Sequence, residues 1–384
     1  MNSLMRTIRE SLTGAIAGID LSTSEAIALL EAKDPETITE MRKTANVLRQ
    51  QQVGETVTYV INRNINFTNI CEQRCSFCAF RRDIGEEGSF WLTHEQIIEK
   101  TRGAIEQGAT EVCMQGGLNP KAKKQGSSLA YYQQLVRTIK HHFPELHLHA
   151  FSPQEIQFIA REDNLSYTDV ISNLRDAGVN SMPGTAAEVL DDKVRKIICP
   201  EKINSDTWCE IVSTALRLGV TTTSTMLCGH IETPQQQVHH LARLRSLQQQ
   251  ALESDYPAKI SEFILLPFVG QFAPKFMRRR VSRDQPDLSD TLRLTALSRI
   301  FLGNWIVNHQ PSWVKLGLAG AVEALNWGCN DIGGTLMEEH ITTMAGAQGG
   351  TCMTVTTLQN AIQSLDRPYH QRSTLYERLP LGEQ

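Results

Sequence analysis

Residues 56–78 read TVTYVINRNINFTNICEQRCSFC. The β-branched alternation from Thr56 to Phe67 predicts a strand, and it runs directly into Cys71, Cys75 and Cys78. A short loop at the C-terminal end of a strand is where α/β barrels carry their active sites. A closed structural zinc site takes four protein ligands, as does an ordinary four-cysteine cluster. Three thiols therefore leave one metal position open. The triplet reads as the holder of an iron–sulfur cube with one iron free for a substrate, as a zinc knuckle completed by a distant His or Cys, or as three incidental thiols.

Outward from this stretch, strand-like runs recur at 110–115, 146–150, 179–182, 220–226, 260–266, 312–316 and 331–336, the last weakened by Gly333 and Gly334. Helical patterns lie between them. Thr93 and Gln96 form a capping box opening 94–107, and further helices are expected over 129–143, from Ser205 to Gly219, over 235–250 behind Thr233-Pro234, and over 318–327. Pro153–Glu162 and Ser166–Ala177 read as a doubled third helix. Eight strand–helix alternations predict an α/β fold with parallel strands and crossover helices, and eight strands close a TIM-like (β/α)8 barrel. A doubly wound open sheet fits the same alternation. The expected organisation is an N-terminal helical extension (1–50), the barrel (51–336), and a C-terminal helical segment and tail (337–384).

Composition narrows the class. The chain has 384 residues and is 41% hydrophobic, enough for a sizeable core and too much for disorder. Its net charge of −4 lacks the basic excess of a general nucleic-acid binder. The basic segments Lys275–Arg280 and Lys121–Lys124 read as solvated loops. Nine cysteines, an odd number, argue against a paired secreted framework. With no secretory h-region and no apolar run long enough to span a bilayer, the expectation is a cytoplasmic protein without membrane partners. Cys113, Cys199, Cys209, Cys228, Cys329 and Cys352 stand singly and read as small apolar residues.

Other candidates fall near the predicted strand ends. Gly116 and Gly117 form either a plain turn or a surface that a ligand's polar head approaches closely, since no Cβ intervenes. His149 reads as a core histidine or a substrate contact. Glu188 reads as a hydrogen-bond acceptor for a bound nucleotide or as a helix-start carboxylate. His230 and Glu232 form a His-x-Glu pair suited to proton handling, and Lys315 suits a substrate carboxylate or a surface position. Asn330-Asp331 with Gly333-Gly334 offers another place for close backbone approach, and Glu338 and Glu339 read as the start of a helix.

The spacing C-x3-C-x2-C with Phe77 before the last cysteine resembles the radical S-adenosylmethionine (SAM) enzymes. Beyond it, NRNINFTNIC, EVCMQGGLNP, LHLHAFSPQEI, MPGTAAEVLDDKVRKIICP, STMLCGHIETP, SWVKLG and NDIGGTLMEEHI resemble the family of 4-hydroxybenzyl-transferring subunits of FO synthase, over about residues 45–375. Two sister families, aminofutalosine synthase and the dehypoxanthine futalosine cyclase of the futalosine menaquinone pathway, form the alternative. Thr185–Glu188, Trp313–Gly317 and Gly333–Met337 favour the first over the cyclase. Cys228, where the family usually has an aromatic, and Cys329, where alanine is common, depart from its pattern.

The resemblance implies that Cys71, Cys75 and Cys78 hold a 4Fe-4S cluster and that the Gly116-Gly117 turn meets SAM; Glu188 remains a candidate SAM contact, and His230, Glu232 and Lys315 remain candidates for handling substrate or protons. It implies reductive cleavage of SAM, hydrogen abstraction from the amino group of L-tyrosine, Cα–Cβ fission, and addition of the 4-hydroxybenzyl radical to C5 of 5-amino-6-(D-ribitylamino)uracil. A low-potential electron donor of ferredoxin or flavodoxin type and the ring-closing radical SAM subunit of FO synthase are its implied partners.

Overall fold

The computed structural model describes residues 3–380; residues 1–2 and 381–384, at the ends of the expected extension and tail, lie outside the described residues. The chain begins with three helices, α1 (Ser3–Ile16), α2 (Thr23–Glu31) and α3 (Pro35–Val53). Ser22 and Glu25 close a capping box on α2, while Asp34 caps α3 with Pro35 in its first turn. Met41, Ala45 and Leu48 bury the inner face of α3.

The predicted first strand is two strands, β1 (Val57–Val60) and β2 (Asn62–Ile65). After them come α4 (His94–Ile105), β3 (Glu111–Met114), α5 (Ser128–His142), β4 (His147–Ala150), α6 (Pro153–Asp163), α7 (Tyr167–Ala177) and β5 (Ser181–Met182). The chain continues through α8 (Asp192–Ile198), α9 (Ser205–Arg217), β6 (Thr221–Cys228), α10 (Pro234–Glu253), β7 (Ile260–Pro267), α11 (Lys275–Val281) and α12 (Leu288–Leu302). It ends with β8 (His309–Pro311), α13 (Trp313–Leu325), β9 (Asp331–Gly334), α14 (Ile341–Met344), α15 (Val355–Gln363) and β10 (Tyr369–Gln371).

Strands β2 to β8 pair in chain order as one seven-stranded parallel sheet, curled into a half-barrel. β1 leaves that sheet and pairs in parallel with β9 and β10. The eighth strand expected at 331–336 is therefore present as β9, but its ladder is to β1. It still lies beside β8, where Asn330 N–H donates to the His309 carbonyl at 3.1 Å.

Three local expectations are corrected. Residues 312–316 are not a strand: the N–H groups of Lys315 and Leu316 donate to the Ser312 carbonyl, so the chain enters α13, and the strand is the short segment just before it. The alternation of Trp313, Lys315 and their neighbours resembled a strand because the first helical turn buries Trp313 and Val314 while Lys315 faces elsewhere. The Lys275–Arg280 segment is the short helix α11 rather than a loop, exposed along its basic side. The C-terminal segment is not purely helical, because β10 extends the sheet of β1.

Beyond β10 the tail turns under the N-terminal ends of the strands. Arg372 donates to Asp331, at the start of β9, and lies 3.5 Å from Glu262 of β7. Thr374 donates to Glu111, at the start of β3, and the Tyr376 hydroxyl donates to Glu262. These carboxylates are buried, so each needs a partner to remain inside. The tail supplies those partners and plugs the end of the half-barrel opposite the cysteines. Burial nevertheless pushes Glu262 up to about 7, against the pull of Arg372.

Because this carboxyl holds its proton more tightly folded than unfolded, it costs stability as pH rises from about 4.5 to about 7. In urea unfolding across that window, wild type is expected to lose up to about 3 kcal/mol relative to Glu262→Gln. Parallel pH profiles for the two proteins would show that the folded carboxyl titrates normally.

Candidate active site

The cysteine loop leaves the sheet after β2 and must be held by other means. Phe67 is fully buried, edge-on to Tyr132 and Phe151 with ring centroids 5.8 and 6.2 Å away. Gly117 N–H donates to the Thr68 carbonyl at 2.8 Å, and Glu72 N–H to the Leu118 carbonyl at 3.0 Å, tying the loop to the turn after β3. A second set of bonds joins it to the last residue of α8 and the segment that follows. Ser76 donates through both N–H and Oγ to the Ile198 carbonyl at 2.8 Å. Gln73 Nε2 donates to the Glu201 carbonyl at 2.9 Å, and Arg74 N–H donates to the Glu201 carboxylate.

Gly116 and Gly117 are required by packing. A Cβ at Gly116 would strike the Phe67 ring, and one at Gly117 would strike the Ile70 carbonyl and Cys71. Their N–H groups are spent on Glu155 and Thr68. Neither carbonyl receives a hydrogen bond among the described residues, so this turn presents acceptors. Sequence reasoning passed over Glu155, whose signal was its place in the Ser152–Glu155 capping box. One carboxylate oxygen takes the Ser152 N–H and hydroxyl, both at 2.7 Å, and the other takes Gly116 N–H at 3.1 Å. Burial pushes Glu155 up to about 7.

The opposite wall follows β5. Ala186 and Glu188 both have left-handed backbones, with φ of 62° and 46°, conformations that cost energy in non-glycine residues. Arg195 holds them. Its buried guanidinium donates to the carbonyls of Ala186, Ala187 and Ile203. Glu188 so positioned accepts from Lys202 Nζ at 2.6 Å, within a buried ion pair. Lys202 also lies 5.5 Å from the Phe77 ring centroid. Neither Arg195 nor Lys202 carries a local motif; their partners come together only when α8 folds over the loop.

His230 and Glu232 are buried and already bonded. Glu232 accepts from the N–H groups of Gly229 and His230, closing the turn between β6 and α10. His230 Nδ1 sits 2.8 Å from Ile231 N–H and 3.0 Å from Glu232. A neutral ring accepts from the first, and an imidazolium donates to the second. Lys315 lies in the first turn of α13, and burial pushes its ammonium down from its ordinary value despite Glu339 and Glu188. Its Nζ has no hydrogen-bond partner among the described residues.

Other candidates fall elsewhere. His147 and His149 both meet Ser181 Oγ at 2.7 Å, and burial pushes His149 down to about 4. Asn330 accepts from Arg299 and from His309 N–H, and Asp331 binds the tail. A Cβ at Gly334 would strike Asn62, so this glycine answers to packing. Glu338 pairs with Arg63 and Lys100, while Glu339 accepts the Thr342 N–H at the start of α14.

The three loop cysteines are free thiols, half-buried on one loop, and burial pushes Cys71 and Cys75 up. Thiols so placed keep their protons until a metal replaces them. Among the described residues no three His, Cys, Asp or Glu side chains converge on a single metal ion. An iron–sulfur cube fits this set, because each cysteine binds a different iron.

Fold and donor set together define a radical SAM enzyme. The radical SAM superfamily profile matches residues 65–244, and the CofH/MqnC C-terminal region matches 261–384. The superfamily's cofactors are a 4Fe-4S cluster and SAM. Relatives named 5-amino-6-(D-ribitylamino)uracil–L-tyrosine 4-hydroxyphenyl transferase include that of Cyanothece sp., 69% identical over 97% of this chain and 98% of its own, and that of Synechocystis sp., 62% identical over 97% and 95%. The chain belongs to this transferase family. Methylornithine synthase (PylB) shares its fold at a TM-score of 0.72 and 16% identity, covering 94% of this chain and 97% of that one. So does the maturase HydG from Carboxydothermus hydrogenoformans, at 0.73 and 14%, over 97% and 81%.

The packing at the glycine turn makes a direct prediction. Gly117→Ala should push the loop off the turn, lowering iron per chain after anaerobic reconstitution by at least half and costing about 1–3 kcal/mol in unfolding. Full iron content with unchanged stability would show that the contact is not needed.

Proposed function

We propose that this chain transfers the 4-hydroxybenzyl group of L-tyrosine to C5 of 5-amino-6-(D-ribitylamino)uracil. The observation that carries the reading is its 62–69% identity, over nearly its whole length, to relatives named for that transfer. The futalosine-pathway alternative is not favoured.

Cys71, Cys75 and Cys78 would hold the cluster. When bound, the cluster and SAM supply a 5′-deoxyadenosyl radical on one-electron reduction. The free carbonyls of Gly116 and Gly117 suit the amino group of SAM, since its N–H groups need acceptors. Glu188, with one carboxylate oxygen on Lys202, keeps the other for a hydroxyl or amino donor of the nucleoside.

Lys315 would take the tyrosine carboxylate. A half-buried ammonium that has no hydrogen-bond partner among the described residues gains from an anion that brings its own charge. His230 and Glu232 would hold the wall beside Glu188, as Leu227 N–H donates to the Glu188 carbonyl while His230 Nε2 meets the Leu227 carbonyl. Fixed groups of this kind position the reactants and exclude water, as a primary carbon radical requires.

The radical SAM family implies an electron donor, which we take to be of ferredoxin or flavodoxin type, and the product would pass to a ring-closing radical SAM partner. No helix among the described residues is long and apolar enough to cross a membrane. A cytoplasmic setting suits nine free thiols.

The test is an anaerobic assay with tyrosine, the diaminouracil, SAM and a reductant. A benzylated uracil adduct is expected by mass, and 5′-deoxyadenosine without it would contradict the reading. Cys75→Ala should lose both products while retaining the wild-type circular dichroism. Lys315→Met should raise KM for tyrosine at least tenfold while SAM cleavage persists. An unchanged KM would remove Lys315 from the tyrosine site.

A further inference from the structure

The buried pair Lys202–Glu188 has a feature that nucleoside binding does not use. The segment from Ile198 to Glu201 is fastened to the cysteine loop by the bonds from Gln73, Arg74 and Ser76, and Lys202 is the next residue along. Its side chain is 14% exposed, and that of Glu188 is 10%. Only one of the three ammonium donors is spent, on Glu188 at 2.6 Å. The described residues take neither of the others. The ammonium lies 5.5 Å from the Phe77 ring centroid, between Cys75 and Cys78 in sequence, and the ring face favours a cation there.

The positive end of the pair is the one that meets the cysteine loop, over the Phe77 ring, while Glu188 holds it from outside that loop. An ion pair so arranged is not electrically neutral toward what the loop holds. Cluster potentials respond to net charge, to hydrogen bonds on sulfur and to exposure. Reduction adds one negative charge, which a fixed buried cation stabilises.

We propose that Lys202 is a positioning residue for the cluster's electronics: its ammonium, through its charge and unspent donors, raises the potential at which the cluster accepts its electron, with Glu188 as the partial counterweight. The proposal rests on the 4Fe-4S reading of the triplet. It gives Glu188 a second consequence, because a ligand drawing that carboxylate away from Lys202 changes the charge balance beside Cys75. Nucleoside binding and readiness for reduction would thus meet in one ion pair.

The test is an EPR-monitored redox titration of the anaerobically reconstituted protein without SAM, on wild type, Lys202→Met, Lys202→Arg and Glu188→Gln. Lys202→Met is expected to disfavour reduction about tenfold, a midpoint lower by roughly 59 mV for a one-electron couple. Lys202→Arg should stay within threefold of wild type, and Glu188→Gln should move the midpoint upward. A Lys202→Met midpoint within threefold of wild type, or above it, overturns the proposal. Where Lys202→Met fails to retain a cluster, Glu188→Gln decides: an upward shift supports the proposal, and an unchanged or lower midpoint overturns it. Wild type without any cluster would refute the radical SAM reading itself, whereas a wild-type cluster indifferent to these charges refutes this proposal alone.

Discussion

A loop that offers three sulfurs to one cluster cannot borrow its rigidity from a sheet it has already left. Here the constraint is met from two sides. The turn after β3 takes the beginning of the loop through Thr68, Glu72 and two glycines that leave no room for a side chain. The last residue of α8 and the segment that follows take its middle through Gln73, Arg74 and Ser76. Nearly everything else at this end of the half-barrel serves those attachments. Arg195 holds the strained backbone before Glu188, and Glu155 holds Gly116.

The two ends of the half-barrel divide their labour by charge. At the N-terminal ends of the strands, Glu111, Glu262 and Asp331 are answered by Arg372, Thr374 and Tyr376 from the tail, which makes that end a sealed polar plug. At the C-terminal ends, Lys315 Nζ, the carbonyls of Gly116 and Gly117 and one oxygen of Glu188 take no hydrogen bond among the described residues, which leaves them available to ligands at the mouth.

The strand order and the cysteine triplet were legible because both are local. Alternating β-branched runs, the Thr93–Gln96 capping box, the Thr233-Pro234 helix start and the C-x3-C-x2-C spacing need only neighbouring residues. Other features were not legible in this way. The strand over 56–67 divides because Val57–Val60 finds partners in β9 and β10 that lie more than 250 residues away. Trp313-Val-Lys mimicked a strand because one buried helical turn gives the same apolar and polar order. Lys202 and Arg195 were invisible as site residues because a lone cation in a sequence looks like any surface charge until its carboxylate and carbonyl partners arrive from other elements. The glycine pairs were seen, but for Gly334 the cause is a neighbouring asparagine.

The claim at the centre is that the chain gives its cluster three ligands and keeps one iron for the substrate nucleoside. Electron–nuclear double resonance on the reduced protein with SAM labelled at its amino nitrogen tests it directly. The account predicts a hyperfine coupling from that nitrogen to the cluster. A coupling from a protein histidine in its place, or a signal indifferent to SAM, would contradict it.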